Sequence, residues 1–278
     1  MRQISYDNSP TLYIVPTPIG NMEDITLRSI NVLKNVDVIF CEDTRVTKQL
    51  LMHYNIQKKL VSNHKYNEHE IKEKILAELK SNHNIAVVSD RGMPGISDPG
   101  YIGAEYAIAN NFNVVCLPGA CAFLPALMMS GICPQPFLFY GFLNSKTAKR
   151  KEELQKLKGK EETVIIYEAP HRLKTTLEDI LEIYGNINIV VSREISKLHE
   201  EVIRDTVSNI IEISDTLKGE FVIILPKVIE KIDYQNIDVK TQVDSFIEQG
   251  MDKKEAIKKV AKTRNVSKSD VYNEYHRK

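Results

Sequence analysis

The sequence predicts an α/β protein with more than one domain. Short runs rich in Val and Ile alternate with amphipathic stretches from Thr11 onward, and the same alternation resumes near residue 137. The chain has 278 residues, which exceeds the usual size of one domain. An apolar share of 42% is sufficient for separate hydrophobic cores.

The first series of elements predicts a mostly parallel sheet covered by helices. Strands are expected at 12–16, 36–41, 85–89 and 114–117, and helices at 26–35, 46–54, 68–81 and 101–110. In the third helix, Ile71, Ile75 and Leu79 fall on one face, as expected of a helix that packs on a sheet. These elements define a first domain over residues 11–120.

The second series predicts another α/β domain over residues 121–226. Strands are expected at 137–140, 163–167, 187–191 and 221–225, with helices at 121–130 and 171–184. After Pro226 the pattern changes. A linker at 227–238 and two or three short helices within 241–278 are expected to form a small C-terminal domain at 227–278.

Composition excludes several classes of protein. The formal net charge is zero, so no global field attracts nucleic acid or a membrane. No run approaches the roughly 20 apolar residues of a membrane span, and the polar N-terminus lacks a signal peptide. The four cysteines are scattered, so neither a disulfide nor a zinc site is expected. A cytoplasmic protein is the resulting expectation.

Three turns rich in Gly and Pro follow strands of the first predicted sheet, at 16–21, 89–100 and 117–121. Ligands bind beyond the carboxyl ends of parallel strands, so these turns predict a ligand cleft. Gly92 and Gly119 are expected where the backbone approaches the ligand closely, because glycine has no side chain to intrude.

The cleft is expected to be acidic. No GxGxxG follows the first strand and no GxxxxGK[ST] occurs, so the usual phosphate cradles are missing. Carboxylates suit ribose hydroxyls, an amino group or a sulfonium cation. The alternative is that Asp24, Asp43 and Asp98 cap helix N-termini. The acids that follow the strands are Glu23, Asp24, Glu42, Asp43, Asp90 and Asp98.

Read in order, these segments resemble the ribosomal RNA small-subunit methyltransferase I family, within the tetrapyrrole-methylase superfamily. The matching segments are 12–21 (LYIVPTPIGN), 41–45 (CEDTR), 88–90 (VSD), 94–100 (PGISDPG), 167–173 (YEAPHRL), 193–194 (RE) and 218–221 (KGEF). The resemblance extends from about Leu12 to Leu225.

The resemblance implies a class III methyltransferase fold of two α/β domains, a homodimer, and S-adenosylmethionine bound between the domains without a metal. The implied reaction is 2′-O-methylation of a cytidine in the decoding region of small-subunit ribosomal RNA. The implied donor-binding residues are Pro18, Asp90, Gly92, Pro94, Ser97, Pro118 and Gly119, with Ala169 and Leu225 from the second domain. Four residues of these loops depart from the family pattern, namely Arg91, Met93, Ala120 and Cys121.

A ribose hydroxyl is a weak nucleophile, so a general base is expected near it. The candidates are Glu42, Asp43 and His171, although Glu42 could instead pair with Arg45 and His171 could cap the helix that opens at Pro170. Two arginines, Arg45 and Arg172, could hold RNA phosphate or form intramolecular salt bridges.

Residues 251–278 carry the local charge bias of the chain, with nine Lys or Arg against four Asp or Glu. Apolar stripes formed by Ala256, Ile257, Val260 and Ala261 and by Val271, Tyr272 and Tyr275, the latter after the cap Ser267, predict two short helices joined near Asn265. Lys253, Lys254 and Lys258 are candidate RNA-phosphate contacts. The alternative is a solvated surface of a small accessory domain.

Two other functions remain open at the level of the sequence. A methylase acting on a tetrapyrrole carbon would share the superfamily, although the YEAPHR and CEDTR segments favour the RNA branch. A non-catalytic ribosome-assembly factor could bind RNA through the same tail.

Overall fold

A computed structural model describes residues 2–5, 7–64, 68–98, 100–228, 237–248 and 250–277. The chain divides into two units, Met1–Val228 and Ile229–Lys278. The larger unit contains two five-stranded sheets with helices, which is the predicted fold class. The further division of this unit into domains at 11–120 and 121–226 stays a prediction. No described helix is long and apolar enough to cross a membrane.

The first sheet is entirely parallel, with the order β3-β2-β4-β1-β5. Its strands are β1 (Thr11–Ile14), β2 (Val38–Cys41), β3 (Lys59–Ser62), β4 (Ile85–Val88) and β5 (Asn113–Cys116). Its helices are α1 (Leu27–Asn35), α2 (Thr44–His53), α3 (Glu68–Lys80) and α4 (Tyr101–Ala109). The predicted strands and helices of this region are confirmed, and β3 is an additional edge strand.

Helices cover both faces of the first sheet. Leu33 of α1 and Leu51 of α2 pack on one face, while Ile71 and Ile75 of α3 pack on the other. The strands β2 and β4 are buried along their whole length. Continuous apolar runs of this kind are what a parallel sheet covered on both faces requires.

The second sheet has the order β6-β7-β10-β8-β9, and only the β6–β7 pair is parallel. Its strands are β6 (Phe137–Phe142), β7 (Thr163–Glu168), β8 (Asn188–Arg193), β9 (Glu201–Thr206) and β10 (Phe221–Leu225). Its helices are α5 (Phe123–Ser130), α6 (Thr147–Lys158), α7 (Leu173–Tyr184) and α8 (Val207–Ile213). The elements β9, α6 and α8 were not predicted, and the helix expected from residue 171 begins at Leu173.

Hydrogen bonds connect the turn after β1 to the turn after β4. Thr17 and Gly92 exchange two backbone hydrogen bonds of 3.0 Å, and the Thr17 hydroxyl donates to the Ser89 carbonyl at 3.1 Å. The two predicted cleft turns therefore form one connected structure at the carboxyl edge of the first sheet.

The C-terminal unit has its own core of three helices, α9 (Val239–Glu248), α10 (Lys253–Arg264) and α11 (Lys268–His276). Asn265 ends α10 in a left-handed conformation, and the Ser267 hydroxyl caps α11 by accepting the Asp270 N–H at 3.1 Å. The predicted stripe on α10 is buried, but Tyr272 is 54% exposed and does not belong to the core. Most of the linker expected at 227–238 lies outside the described residues.

Candidate active site

A cavity of about 740 Å³ lies where the loops after β2 and β4 meet β10 and the turn between β7 and α7. Its volume is within the usual range for small-molecule sites. The predicted site residues that line it are Glu42, Asp90, Gly92, Ser97, Ala169 and His171. The fold therefore brings two candidate bases and four candidate donor-binding residues to one space.

Three carboxylates, those of Glu42, Asp90 and Asp98, line the wall formed by the first sheet. Burial raises the pKa of Glu42, and the charges of Asp98 and Asp90 raise it further. Burial, together with Asp90 and Glu220, also raises the pKa of Asp98. Burial raises the pKa of Asp90 although its carboxylate accepts the Asp43 N–H at 3.0 Å. Among the described residues, no basic side chain forms an ion pair with these three carboxylates. This acidic wall favours a cationic or hydroxyl-bearing ligand.

Asp43 has a different environment from its neighbour Glu42. Its carboxylate accepts the Arg45 N–H at 2.8 Å, which caps α2, and lies 2.6 Å from the Arg45 guanidinium. The hydrogen bonds from Arg45 lower the pKa of Asp43 to about 2. The alternative pairing of Glu42 with Arg45 is therefore wrong.

Of the three acids expected as possible helix caps, only Asp43 has that role. Thr26 rather than Asp24 caps α1, and Gly100 stands at the N-cap position of α4. Asp98 instead lines the cavity.

Aromatic side chains form a second wall that the sequence did not predict. Phe123, Phe142 and Tyr167 line the cavity, and the ring centroids of Phe142 and Tyr167 lie 5.7 Å apart. Burial raises the pKa of Tyr167 to about 12, so this hydroxyl keeps its proton. The signal that could have identified Tyr167 was its place at the start of the YEAPHR segment.

The turn that carries His171 is held by a buried carboxylate. Glu168 accepts the Ala169 N–H at 2.8 Å and the Thr176 hydroxyl at 2.6 Å, and lies 3.1 Å from Nε of Arg172. Arg172 also donates to the Leu143 carbonyl at 2.7 Å. The intramolecular alternative for Arg172 is thus confirmed. The His171 side chain lines the cavity and does not cap a helix, so the capping alternative is wrong.

The remaining predicted donor-binding residues do not line this cavity. Pro18 and Pro94 are buried, and Pro118 is exposed. Gly119 lines an adjoining cavity of about 500 Å³. Leu225 is fully buried in the core of the second sheet, so only its backbone could meet a ligand.

Packing between neighbouring turns gives each of the two glycines, Gly92 and Gly119, a structural reason. A Cβ at Gly119 would lie 2.7 Å from Cβ of Pro16, so its hydrogen makes room for the first turn. Gly92 has a φ of +78°, and a Cβ there would lie 3.0 Å from the Ile19 side chain. A side chain at either position would thus first disturb protein packing, and the close approach of these two glycines to the ligand stays a prediction.

The four residues that depart from the family pattern all line one or both of the two cavities. Arg91 lines the cavity and donates to both carboxylate oxygens of Glu220 at 3.0 Å, and Lys197 donates to the same Glu220 at 2.8 Å. The positive charge of Arg91 is thus balanced by the negative charge of Glu220, which also lines the cavity. Met93 places its sulfur 3.6 Å from that of Cys116. Cys121 lines both cavities and Ala120 the smaller one.

The family model for tetrapyrrole (corrin/porphyrin) methylases matches residues 11–211 of the chain. The chain belongs to the tetrapyrrole methylase family. It is a methyltransferase, and S-adenosylmethionine is its methyl donor. The cavity fits this donor because unpaired carboxylates suit its amino group, ribose hydroxyls and sulfonium, and the aromatic wall suits its adenine. Within the described chain, no group of three or more His, Cys, Asp or Glu could hold a metal ion.

Relatives of this methyltransferase share nearly its whole length. A Bacillus subtilis protein named ribosomal RNA small subunit methyltransferase I is 48% identical over 99% of this chain and 98% of its own. A Halalkalibacterium halodurans protein of the same name is 43% identical over 97% and 96%. The solved uroporphyrin-III C-methyltransferase from Thermus thermophilus covers 78% of this chain and 94% of its own with a TM-score of 0.56 and 18% identity, which supports the fold.

Proposed function

We propose that this methyltransferase methylates the 2′-hydroxyl of a cytidine ribose in small-subunit ribosomal RNA. The observation that carries the proposal is the acidic cavity, which joins unpaired carboxylates to the YEAPHR turn. The names of relatives up to 48% identical supply the RNA class. The fold alone would equally suit methylation of a tetrapyrrole carbon. A ribosome-assembly factor without catalysis would have no use for this cavity.

S-adenosylmethionine, when bound, supplies a methyl group on a positively charged sulfur. The chain must hold the acceptor hydroxyl in line with that group and accept its proton. Glu42 is the strongest candidate base, because it lines the cavity and burial raises its pKa. His171 lines the same cavity and is the second candidate. Asp43 is the weakest, because Arg45 holds its pKa at about 2.

For the donor, we propose direct contacts with Asp90, Gly92, Ser97 and Ala169, which lie on the cavity walls. The implied residues Pro18, Pro94, Pro118 and Gly119 would act by shaping the turns, and Leu225 through its backbone. This division follows from which of these residues the cavity exposes.

For the RNA, we propose phosphate contacts by Arg45, which is 87% exposed although its guanidinium also pairs with Asp43. We propose further phosphate contacts by Lys253, Lys254 and Lys258, which are exposed on α10. Arg172 is less suited, because Glu168 and the Leu143 carbonyl already engage its guanidinium. The small ribosomal subunit as substrate, a cytoplasmic location and a homodimer are further proposals, and light scattering of the purified protein tests the last.

Mapping of ribose methylation tests the proposed function. Small-subunit RNA from cells that lack the protein should miss one ribose methyl on a cytidine, detected by mass spectrometry of RNA fragments. Re-expression of the wild-type chain should restore it, whereas Glu42→Gln should not. An unchanged set of ribose methyls in the deletion strain would reject the proposal, and a methylated tetrapyrrole lost instead would favour the other chemistry.

A further inference from the structure

Tyr272 is an exposed aromatic residue of the C-terminal unit. Its spacing with Val271 and Tyr275 predicted a buried stripe, yet it is 54% exposed while Val271 is buried. An exposed aromatic ring close to basic side chains is the combination on which single-stranded nucleic acids stack. The ring therefore offers a face to a ligand.

The ring of Tyr272 is held in position by its neighbours. Its centroid lies 4.5 Å from that of His276, one helical turn further along α11. His276 in turn contacts Tyr275 edge to face at 5.1 Å. The Tyr275 hydroxyl donates to Asp244 of α9 at 2.7 Å. A ring anchored in this way loses little conformational entropy when another ring stacks on it.

Positive charge adjoins these rings. Nζ of Lys253 lies 4.7 Å from the centre of the Tyr275 ring. Lys254, Lys258 and Lys262 are exposed and recur every four residues along α10, and no ion pair involves them within the described part of the chain. Arg264, by contrast, is committed to Gln242 at 2.6 Å and to the Ile237 carbonyl.

We propose that Tyr272 and His276 form a stacking site for an unpaired base of RNA, with Lys253 next to the adjacent phosphate. This inference rests on the proposed RNA substrate and adds a site to it. Proteins that bind single strands combine aromatic platforms with basic side chains in the same way. The simpler role, an aromatic pair one turn apart that stabilises α11, predicts no effect on RNA.

The test measures binding of the full chain to a labelled single-stranded oligoribonucleotide and to the same sequence annealed as a duplex. Tyr272→Leu should weaken binding of the single strand about tenfold and leave duplex binding unchanged. Tyr272→Phe should bind like the wild type. Tyr101→Leu, which removes another exposed aromatic ring, on α4, is the matched control and should have no effect.

The salt dependence of RNA binding distinguishes the contribution of stacking from the contribution of charge. Tyr272→Leu should keep the wild-type slope of log affinity against log salt, whereas Lys253→Met should make it shallower. A single-strand affinity of Tyr272→Leu equal to that of Tyr101→Leu would overturn the stacking site but leave the RNA substrate standing. No binding of either RNA by the wild-type chain would overturn this site, and methylation of small subunits would then still test the proposed function separately.

Discussion

The two walls of the cavity use carboxylates in opposite ways. On the wall of the first sheet, Glu42, Asp90 and Asp98 crowd together without an ion pair among the described residues, and burial raises the pKa of each. On the opposite wall, Glu168 is fully buried but receives two hydrogen bonds and faces Arg172. Buried carboxylates without an ion-pair partner weaken the folded state, whereas a carboxylate that has one supports it. The comparison assigns chemistry to the three carboxylates of the first wall and a structural role to Glu168.

The largest effect is expected from Glu42→Gln. Removing a general base lowers rates about 10²- to 10⁴-fold, so single-turnover methylation should fall by at least about 100-fold while donor affinity changes little. Asp43→Asn is the matched control. Asparagine keeps the cap of α2, and the lowered pKa of Asp43 makes this residue a poor base. Stopped-time methylation with saturating donor measures both. Equal rate losses in the two variants would contradict the claim that Glu42, and not Asp43, is the base.

Glu168→Gln should act on stability. The amide can still receive the Thr176 hydroxyl, but it leaves the partly buried Arg172 without its charge partner, so the free energy of unfolding should fall by about 1–3 kcal/mol. Glu182→Gln, at an exposed ion pair with Lys151, should leave it unchanged. Denaturant titration measures the change. A Glu168→Gln protein of wild-type stability but without activity would assign chemistry to the second wall as well.

Asp98→Asn should have smaller effects of opposite sign on binding and stability. Donor affinity should fall about tenfold, because one carboxylate facing the cation is lost. Stability at neutral pH should rise, because the pKa of Asp98 is raised in the folded state and its charge therefore opposes folding above that pKa. Calorimetry and thermal unfolding measure the two. Glu152→Gln on the surface of α6 is the control, and a loss of stability in Asp98→Asn would show that the charge is compensated after all.

The sequence predicted the elements that have strong apolar patterns. All strands of the first sheet were predicted except β3, which begins with Lys59 and lies at the edge, half exposed. In the second sheet, β9 (EVIRDT) is mostly polar and has no fully buried residue. Helix α6 is so rich in Lys and Glu that its buried positions Leu154 and Leu157 leave little periodicity. The antiparallel order was not foreseen, because the β8–β9 hairpin cannot be recognised when β9 is missed.

The site was predicted where a residue follows a strand directly. Glu42 and Asp90 were found because the carboxyl ends of β2 and β4 lie side by side. Phe123, Lys197 and Glu220 were missed, because they reach the cavity from distant parts of the chain. The packing of Gly119 against Pro16 was not predicted, since it depends on how two turns pack.

The pH dependence of single-turnover methylation in the wild type and in Glu42→Gln tests the central claim most directly. A base must lose its proton to act, so the wild-type rate should rise with pH through the pKa of Glu42, which burial raises from its ordinary value. The Glu42→Gln protein should be slow and should lack this rise. The same rise in both proteins would contradict the account, because another group would then be the base.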